Sequence, residues 1–463
     1  MYSNNGMKLF MEPGSVAVIG VSRRTGPGSF NIFENLVNSG FLGKLYPVNP
    51  YVDEIMGRKA YPSVKDVPEE IDLAVVSTPR SVVPGIVHEC TEKGIRAIIV
   101  VGQGFADGDE EGRKLQAEIL RIAGQGGARI LGPNTFGTAN AFNHFTSAFA
   151  PMIMKRVPIG IICQTGFYFV GLPNFTVVGK AIDLGNACDI EFAEALEYFE
   201  YDPDIRLIFM HIEGISNGRR FMEVARRVAK QKPVLALKTG KGEEGARAAQ
   251  SHTGSLVGRD EVYDAAFRQC GVIRIGDTDE FEDLAKAFLN LPPMKGKGVA
   301  VITITGAGGI MAIDLLEKYN LRLAKLSAET LDRINALAPA WLRVGNPTDI
   351  WPAFMIAGYP VEQVFTTTME ACLNDEDVSG IILIFAGFPE PPAPATVDTA
   401  EVLPQVAGKF RGKPVLIWLY GPKADALASK MERTGEILVY PTLERAVRTL
   451  SRLNQCWEYR LGT

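Results

Sequence analysis

His252 stands in the run Ala249-Gln250-Ser251-His252-Thr253-Gly254-Ser255-Leu256-Val257-Gly258, where hydroxyls and glycines surround a single imidazole. A ring nitrogen held on such a loop can carry a phosphoryl group, and the backbone amides around Gly254 can stabilise the anion. The same run also suits a loop histidine that caps the helical pattern Glu261–Gln269. A covalent phosphohistidine needs a group that accepts from the other ring N–H. Glu213, at the end of the apolar strand Leu207–Ile212, stands at a strand C-terminus where it can do so. Gln164-Thr165-Gly166 closes another apolar run, and its amides can hold the phosphoryl group where a helix begins. Of the other histidines, His88 falls in a helical stretch, His144 in a loop, and His211 inside a strand, as a hydrogen-bonded core imidazole. No second His, Cys or carboxylate stands at ligand spacing from His252, so no metal is expected there.

A second constellation lies near the N-terminus. The strand Ser15–Ser22 (SVAVIGVS) leads into Gly20-Val21-Ser22-Arg23-Arg24-Thr25-Gly26-Pro27-Gly28. A glycine at a strand end lets backbone amides approach a pyrophosphate, while the strict G-x-G-x-x-G spacing of a dinucleotide site is missing. Ser22 lies in this turn, and Arg23 and Arg24 suit a ligand with an additional phosphate, such as the 3′-phosphate of coenzyme A. Tight strand–helix packing with solvated arginines is the other reading of this loop. Asn49, Thr78, Gly102–Phe105 and Gly132-Pro133-Asn134 each follow an apolar strand, the place where open α/β sheets bind ligands.

These groups need elements to position them. Apolar runs alternate with amphipathic stretches along the whole chain, which predicts α/β architecture with parallel sheets. The strand–turn–helix opening recurs at Ile159–Phe167 and Val299–Gly309. Strands are expected at Leu45–Val48, Leu73–Ser77, Ala97–Val101 and Arg129–Leu131, and helices after Pro27 and Ser63 and over Val82–Lys93 and Glu110–Ala123. The 463 residues suit about three domains. The expected boundaries are 8–144, 145–292 and 297–463, with Pro292–Gly296 as linker. Apolar residues make up 46% and charged residues 22%, with a net charge of −5. That balance is globular and offers nothing to a nucleic acid or a membrane. The N-terminus lacks a secretory pattern, and the six cysteines are scattered with no C-x-x-C pair, so a reduced, cytoplasmic setting is expected.

Together these residues resemble the α subunit of ADP-forming acetyl-CoA synthetases, relatives of succinyl-CoA synthetase. The resemblance is carried by SVAVIGVS with LYPVNP, ILGPNTFG, LGNACD (Leu184–Asp189), HIEGI (His211–Ile215), KPVLALKTGK, Ser251–Ile275 and GNPTDI (Gly345–Ile350), and covers essentially the whole chain. It implies three doubly wound domains: a Rossmann-like CoA-binding domain and two flavodoxin-like ligase domains. It implies that acyl-CoA, phosphate and NDP are interconverted with acid, CoA and NTP through an acyl phosphate and a phosphohistidine. By position His252 is then the carrier and Glu213 its stabilising carboxylate. Gly20, Ser22, Arg23, Asn49, Thr78 and Asn134 become CoA contacts, and Asn186 and Asp189 acyl- or phosphate-side groups. The nucleotide with Mg²⁺ is expected on an ATP-grasp β subunit, in an α2β2 assembly.

Two departures from the family pattern stand out. Members carry Ser-Gln-Ser-Gly and a long helix where this chain has Cys163-Gln164-Thr165-Gly166 followed by Phe167-Tyr168-Phe169, with Pro173 soon after. The aromatic trio either lines a changed acyl site or belongs to the core. Thr135 takes a place where relatives often have cysteine. A catalytically altered, CoA-sensing regulatory module is the alternative function.

Overall fold

The computed structural model describes residues 5–169, 179–245, 247, 259–388 and 399–462. The chain forms two compact units, one up to Thr278 and one from Asp279 onward. In the first unit, α1 (Asn5–Met11) precedes β1 (Ser15–Ile19), α2 (Ile32–Asn38) and β2 (Lys44–Val48). A small hairpin, β3 (Glu54–Ile55) and β4 (Arg58–Lys59), leads to β5 (Leu73–Val76), α3 (Val83–Glu92), β6 (Ala97–Val100), α4 (Glu110–Gly126) and β7 (Arg129–Leu131). The main strands form an all-parallel sheet in the order β2-β1-β5-β6-β7. Such sheets are covered on both faces, which is why β1, β5 and β6 read as uninterrupted apolar runs. Ala17, Val76 and Ile98 pack with Val83 and Val87 of α3 and Ile119 of α4.

The second sheet contains β8 (Thr138–Asn140), β9 (Phe145–Thr146), β10 (Ile159–Cys163), β11 (Lys180–Asp183), β12 (Leu207–Ile212), β13 (Val234–Lys238) and β14 (Ile273–Ile275). Their order is β14-β13-β12-β10-β11-β8-β9, parallel except for β8 and β9. Its helices include α5 (Phe192–Tyr201), α6 (Gly218–Ala229) and α7 (Asp260–Cys270). In α6 the buried Phe221, Val224, Ala225 and Val228 form an apolar stripe at helical spacing, and the Asn217 side chain caps its start by accepting from Arg220 N–H.

The unit from Asp279 holds a third parallel sheet: β15 (Gly298–Thr303), β16 (Arg322–Leu323), β17 (Thr348–Asp349), β18 (Gly380–Ala386), β19 (Val415–Tyr420) and β20 (Leu438–Tyr440). Its order is β16-β15-β18-β19-β20, with β17 paired to β15. The helix Leu443–Leu461 covers it, and Arg445 pairs with the buried Asp283 at 2.6 Å.

The expected alternation of strands and helices is therefore present, and three parallel sheets of the doubly wound kind form. One element differs. The helix expected after Ser63 is a single 3-10 turn, Val64–Asp66, capped by the Ser63 hydroxyl. Pro68 holds the preceding Val67 in an extended conformation, which ends the turn there. In each sheet the strand order reverses once, between β1 and β5, β10 and β12, and β15 and β18. Crevices for ligands open at such reversals.

Candidate active site

The first reversal brings together the N-terminal constellation. Gly20 leaves β1 with φ +83°, and a Cβ added there would lie 2.4 Å from the Ser77 carbonyl oxygen. Only glycine tolerates both the conformation and that approach. The following turn is braced internally: the Ser22 hydroxyl accepts from Arg24 N–H at 3.1 Å, and the Asn31 amide donates to the carbonyls of Ser22 and Arg24. The Asn31 oxygen meanwhile caps α2. Arg23 and Arg24 are left exposed. Asn49, after β2, donates to the Val21 carbonyl at 3.0 Å. Asn134, after β7, sits at φ +60° and donates its N–H to the Gly102 carbonyl at 2.9 Å. The Thr78 hydroxyl is buried beside Gly20 without a hydrogen-bond partner among the described residues. All six expected CoA-side residues thus follow strands at the C-terminal edge of one sheet.

The second reversal joins the other constellation. Gln164 is buried at the end of β10, and its side-chain oxygen accepts from Glu213 N–H at 2.8 Å and Gly214 N–H at 3.1 Å. Glu213 itself is buried where β12 ends. The Tyr263 hydroxyl, from α7, accepts from Ile215 N–H at 3.1 Å. The Lys238 ammonium lies 4.8 Å from the centroid of the Tyr263 ring and donates to the Thr239 carbonyl. Burial lowers its pKa from the ordinary lysine value. His211 is buried and its Nε2 lies 3.1 Å from the Thr239 hydroxyl, the core imidazole its strand position implies. His252 and Gly254 lie outside the described residues.

Asp183 ends β11 in the same crevice. Its carboxylate accepts from Phe136 N–H at 2.7 Å and Gly185 N–H at 3.2 Å, bonds that favour the charged form. Desolvation outweighs them and pushes its pKa up to about 7. Thr165 accepts from Phe167 N–H through its hydroxyl at 3.4 Å, and Gly166–Phe169, the last described residues before position 179, form a 3-10 turn. Tyr168 and Phe169 are buried in the core, whereas Phe167 is 54% exposed.

The segment after β11 stitches the first two sheets together. The Asn186, Cys188 and Ile190 amides donate to the carbonyls of Pro133, Gly132 and Ile130, so the chain runs back along β7. The Asn186 side chain donates to Asp107 at 2.7 Å, and Asp107 in turn accepts from Gly104 and Phe105 N–H. Both oxygens of Asp189 lie 2.9 Å from Arg129 Nε, and one also accepts from Ile130 N–H. Asn186 thereby sits near the C-terminal edge, and Asp189 towards the start of β7.

Residues 14–141 match the model of a CoA binding domain, and residues 157–288 that of the succinyl-CoA ligase like flavodoxin domain. The ADP-forming acetate–CoA ligase II of Archaeoglobus fulgidus is 38% identical, over 99% of this chain and 68% of its own length. The chain belongs to the family of ADP-forming acetate–CoA ligases. The α subunit of the ADP-forming acetate–CoA ligase I of Pyrococcus furiosus is 35% identical, with 96% of this chain and 97% of that subunit covered. Among solved structures, an acetyl-coenzyme A synthetase 1 of Ca. Korarchaeum cryptofilum, in complex with phosphate and ADP, superposes with a TM-score of 0.84. It shares 30% identity, and the match covers 99% of this chain and 98% of that one.

Within this acid–thiol ligase family, three residues of the crevice escaped the reading of the sequence. Asp183 and Lys238 each close a buried strand with a charge, a signal visible in KAID and VLALK but overshadowed by the glycines that follow. Phe136 follows Thr135, and only the fold shows its ring against Gly166, where an added Cβ would lie 2.1 Å from it.

Proposed function

We propose that this chain is the CoA-binding, histidine-phosphorylated subunit of an ADP-forming acyl-CoA synthetase. Phosphate attacks the thioester carbonyl carbon, the C–S bond breaks, and the departing CoA sulfur takes up the proton that phosphate gives up. The acyl phosphate then passes its phosphoryl group to a His252 ring nitrogen as the P–O bond to the carboxylate breaks. A nucleoside diphosphate finally takes the phosphoryl group. The covalent carrier keeps the thioester's free energy from being lost to water.

The observation that carries this reading is the Gln164–Glu213 bond at the second reversal. It supports a rigid seat from which Glu213 orients the imidazole of His252 while the Gln164–Gly166 turn binds the phosphoryl group. Gly20, Ser22, Arg23, Asn49, Thr78 and Asn134 hold CoA at the first reversal, with the arginines meeting its phosphates. Asn186 acts through Asp107 on the loop between the two. An ATP-grasp partner brings the nucleotide with Mg²⁺, in an α2β2 complex in the cytoplasm. The near-complete match to a relative named as an α subunit supports that division of labour. Among the described residues, no helix is long and apolar enough to cross a membrane.

Incubation of the purified chain with acyl-CoA and labelled phosphate gives acid-labile label on the wild type and none on His252→Ala. Equal label on both, or none on either, would sink the proposal. The altered sequence of the Cys163–Phe169 turn favours one other reading, a CoA-sensing module, and tight CoA binding without any labelling in the presence of an ATP-grasp partner would establish it.

A further inference from the structure

The acyl group passes between the sulfur of CoA and an oxygen of phosphate, so it must lie where the CoA side and the phosphate side of the crevice meet. The residue at that meeting point is Phe136. It follows Asn134 from the first sheet, donates its N–H to Asp183 of the second, and lays its ring on Gly166 of the phosphate-side turn. Its ring is only partly buried.

Other rings extend it. Phe149 lies 4.1 Å from Phe136, centroid to centroid, and Phe169 backs Phe136 from the core at 5.8 Å. Phe30, at the end of the turn that carries Arg23, reaches Phe149 at 6.3 Å. Phe30 is 64% exposed, and Phe136 and Phe149 are partly exposed, so among the described residues this row presents apolar surface. Contiguous exposed aromatic surface beside a polar crevice marks a binding site.

We propose that the Phe30–Phe149–Phe136 row is the acyl site and that it selects acids with an aromatic or bulky apolar acyl group over acetate. The inference rests on the function proposed above and names its substrate class. Acetate has one methyl group to set against these rings, whereas an arylacetyl group can stack on Phe136 and Phe149. Phe136 and Phe149 are specificity-determining residues, while Phe169 supports them from below.

The test compares phenylacetyl-CoA with acetyl-CoA, each with labelled phosphate and the full chain, reading CoA release and acid-labile label. Phenylacetyl-CoA is expected to exceed acetyl-CoA about tenfold or more in the second-order rate constant of single-turnover labelling at subsaturating thioester. Phe136→Leu and Phe149→Leu, confirmed as folded by unchanged melting, are expected to lower that ratio at least about threefold while CoA itself binds as before. A preference for acetyl-CoA, or a ratio that neither variant moves, overturns the inference and leaves the function standing. If neither thioester reacts, the function falls. Calorimetry still judges the row in that case, because equal affinities for CoA and phenylacetyl-CoA would overturn it separately.

Discussion

The side-chain oxygen of Gln164 accepts the backbone N–H groups of both Glu213 and Gly214, tying the exit of β10 to that of β12. Each is a buried donor, and leaving one unsatisfied costs about 1–3 kcal/mol. Gln164→Leu should therefore lower the melting temperature and abolish phosphate labelling, because Glu213 loses its fixed position. Gln164→Glu retains an acceptor and should recover part of the stability. A Leu variant that melts with the wild type would remove the bond from the account of the site.

Thr78 makes the opposite prediction. Its buried hydroxyl has no partner among the described residues, so Thr78→Val should leave stability unchanged or raise it slightly. If the hydroxyl serves CoA, the same variant weakens CoA binding by roughly fivefold to tenfold, the effect of one hydrogen bond. Titration calorimetry with CoA reads this directly, and an unchanged Kd would place Thr78 outside the ligand's reach.

Both switch-point crevices were legible in the sequence because their markers are local. A glycine such as Gly20, or a polar residue such as Gln164 or Glu213, interrupts an apolar strand where a parallel sheet ends. The strands Leu73–Val76 and Arg129–Leu131 were visible for the same reason. What the sequence concealed depends on partners distant along the chain. The strands β8 and β9 have three and two residues, too short for any periodicity to register. Asp189 looks like any acid in a glycine-containing turn until Arg129 is placed beside it, and Phe136 gains its position only through Gly166, some thirty residues on.

Asp189 offers a direct test of position. Its oxygens bind Arg129 and the Ile130 amide, so Asp189→Ala should destabilise the first unit by about 1–3 kcal/mol in urea unfolding. Its place beside the start of β7 predicts a KM for acyl-CoA within about twofold of wild type, measured well below the melting temperature. A large rise in KM with unchanged stability would instead assign this carboxylate to the acyl or phosphate side.

Asp183 gives the crevice a pH dependence with a definite sign. Burial raises its pKa from an ordinary 3.8 to about 7, against the pull of two backbone N–H donors. Between those values the folded chain keeps a proton that the unfolded chain has released. Stability therefore falls as pH rises through this window, by up to about 1.4 kcal/mol per pH unit from this group. The nearby Glu213 charge acts in the same direction. Asp183→Asn cannot titrate, and its NH₂ must face the N–H of Phe136 or of Gly185, so it should be less stable than the wild type at pH 4.5 by about 1–3 kcal/mol. That deficit should shrink as the pH approaches 8, because only the wild type continues to lose stability through this carboxyl. Urea melts of both proteins across that range measure the difference. A deficit that stays constant with pH would mean that Asp183 is already ionised in the folded crevice, and that its two amide donors, rather than its burial, determine its charge.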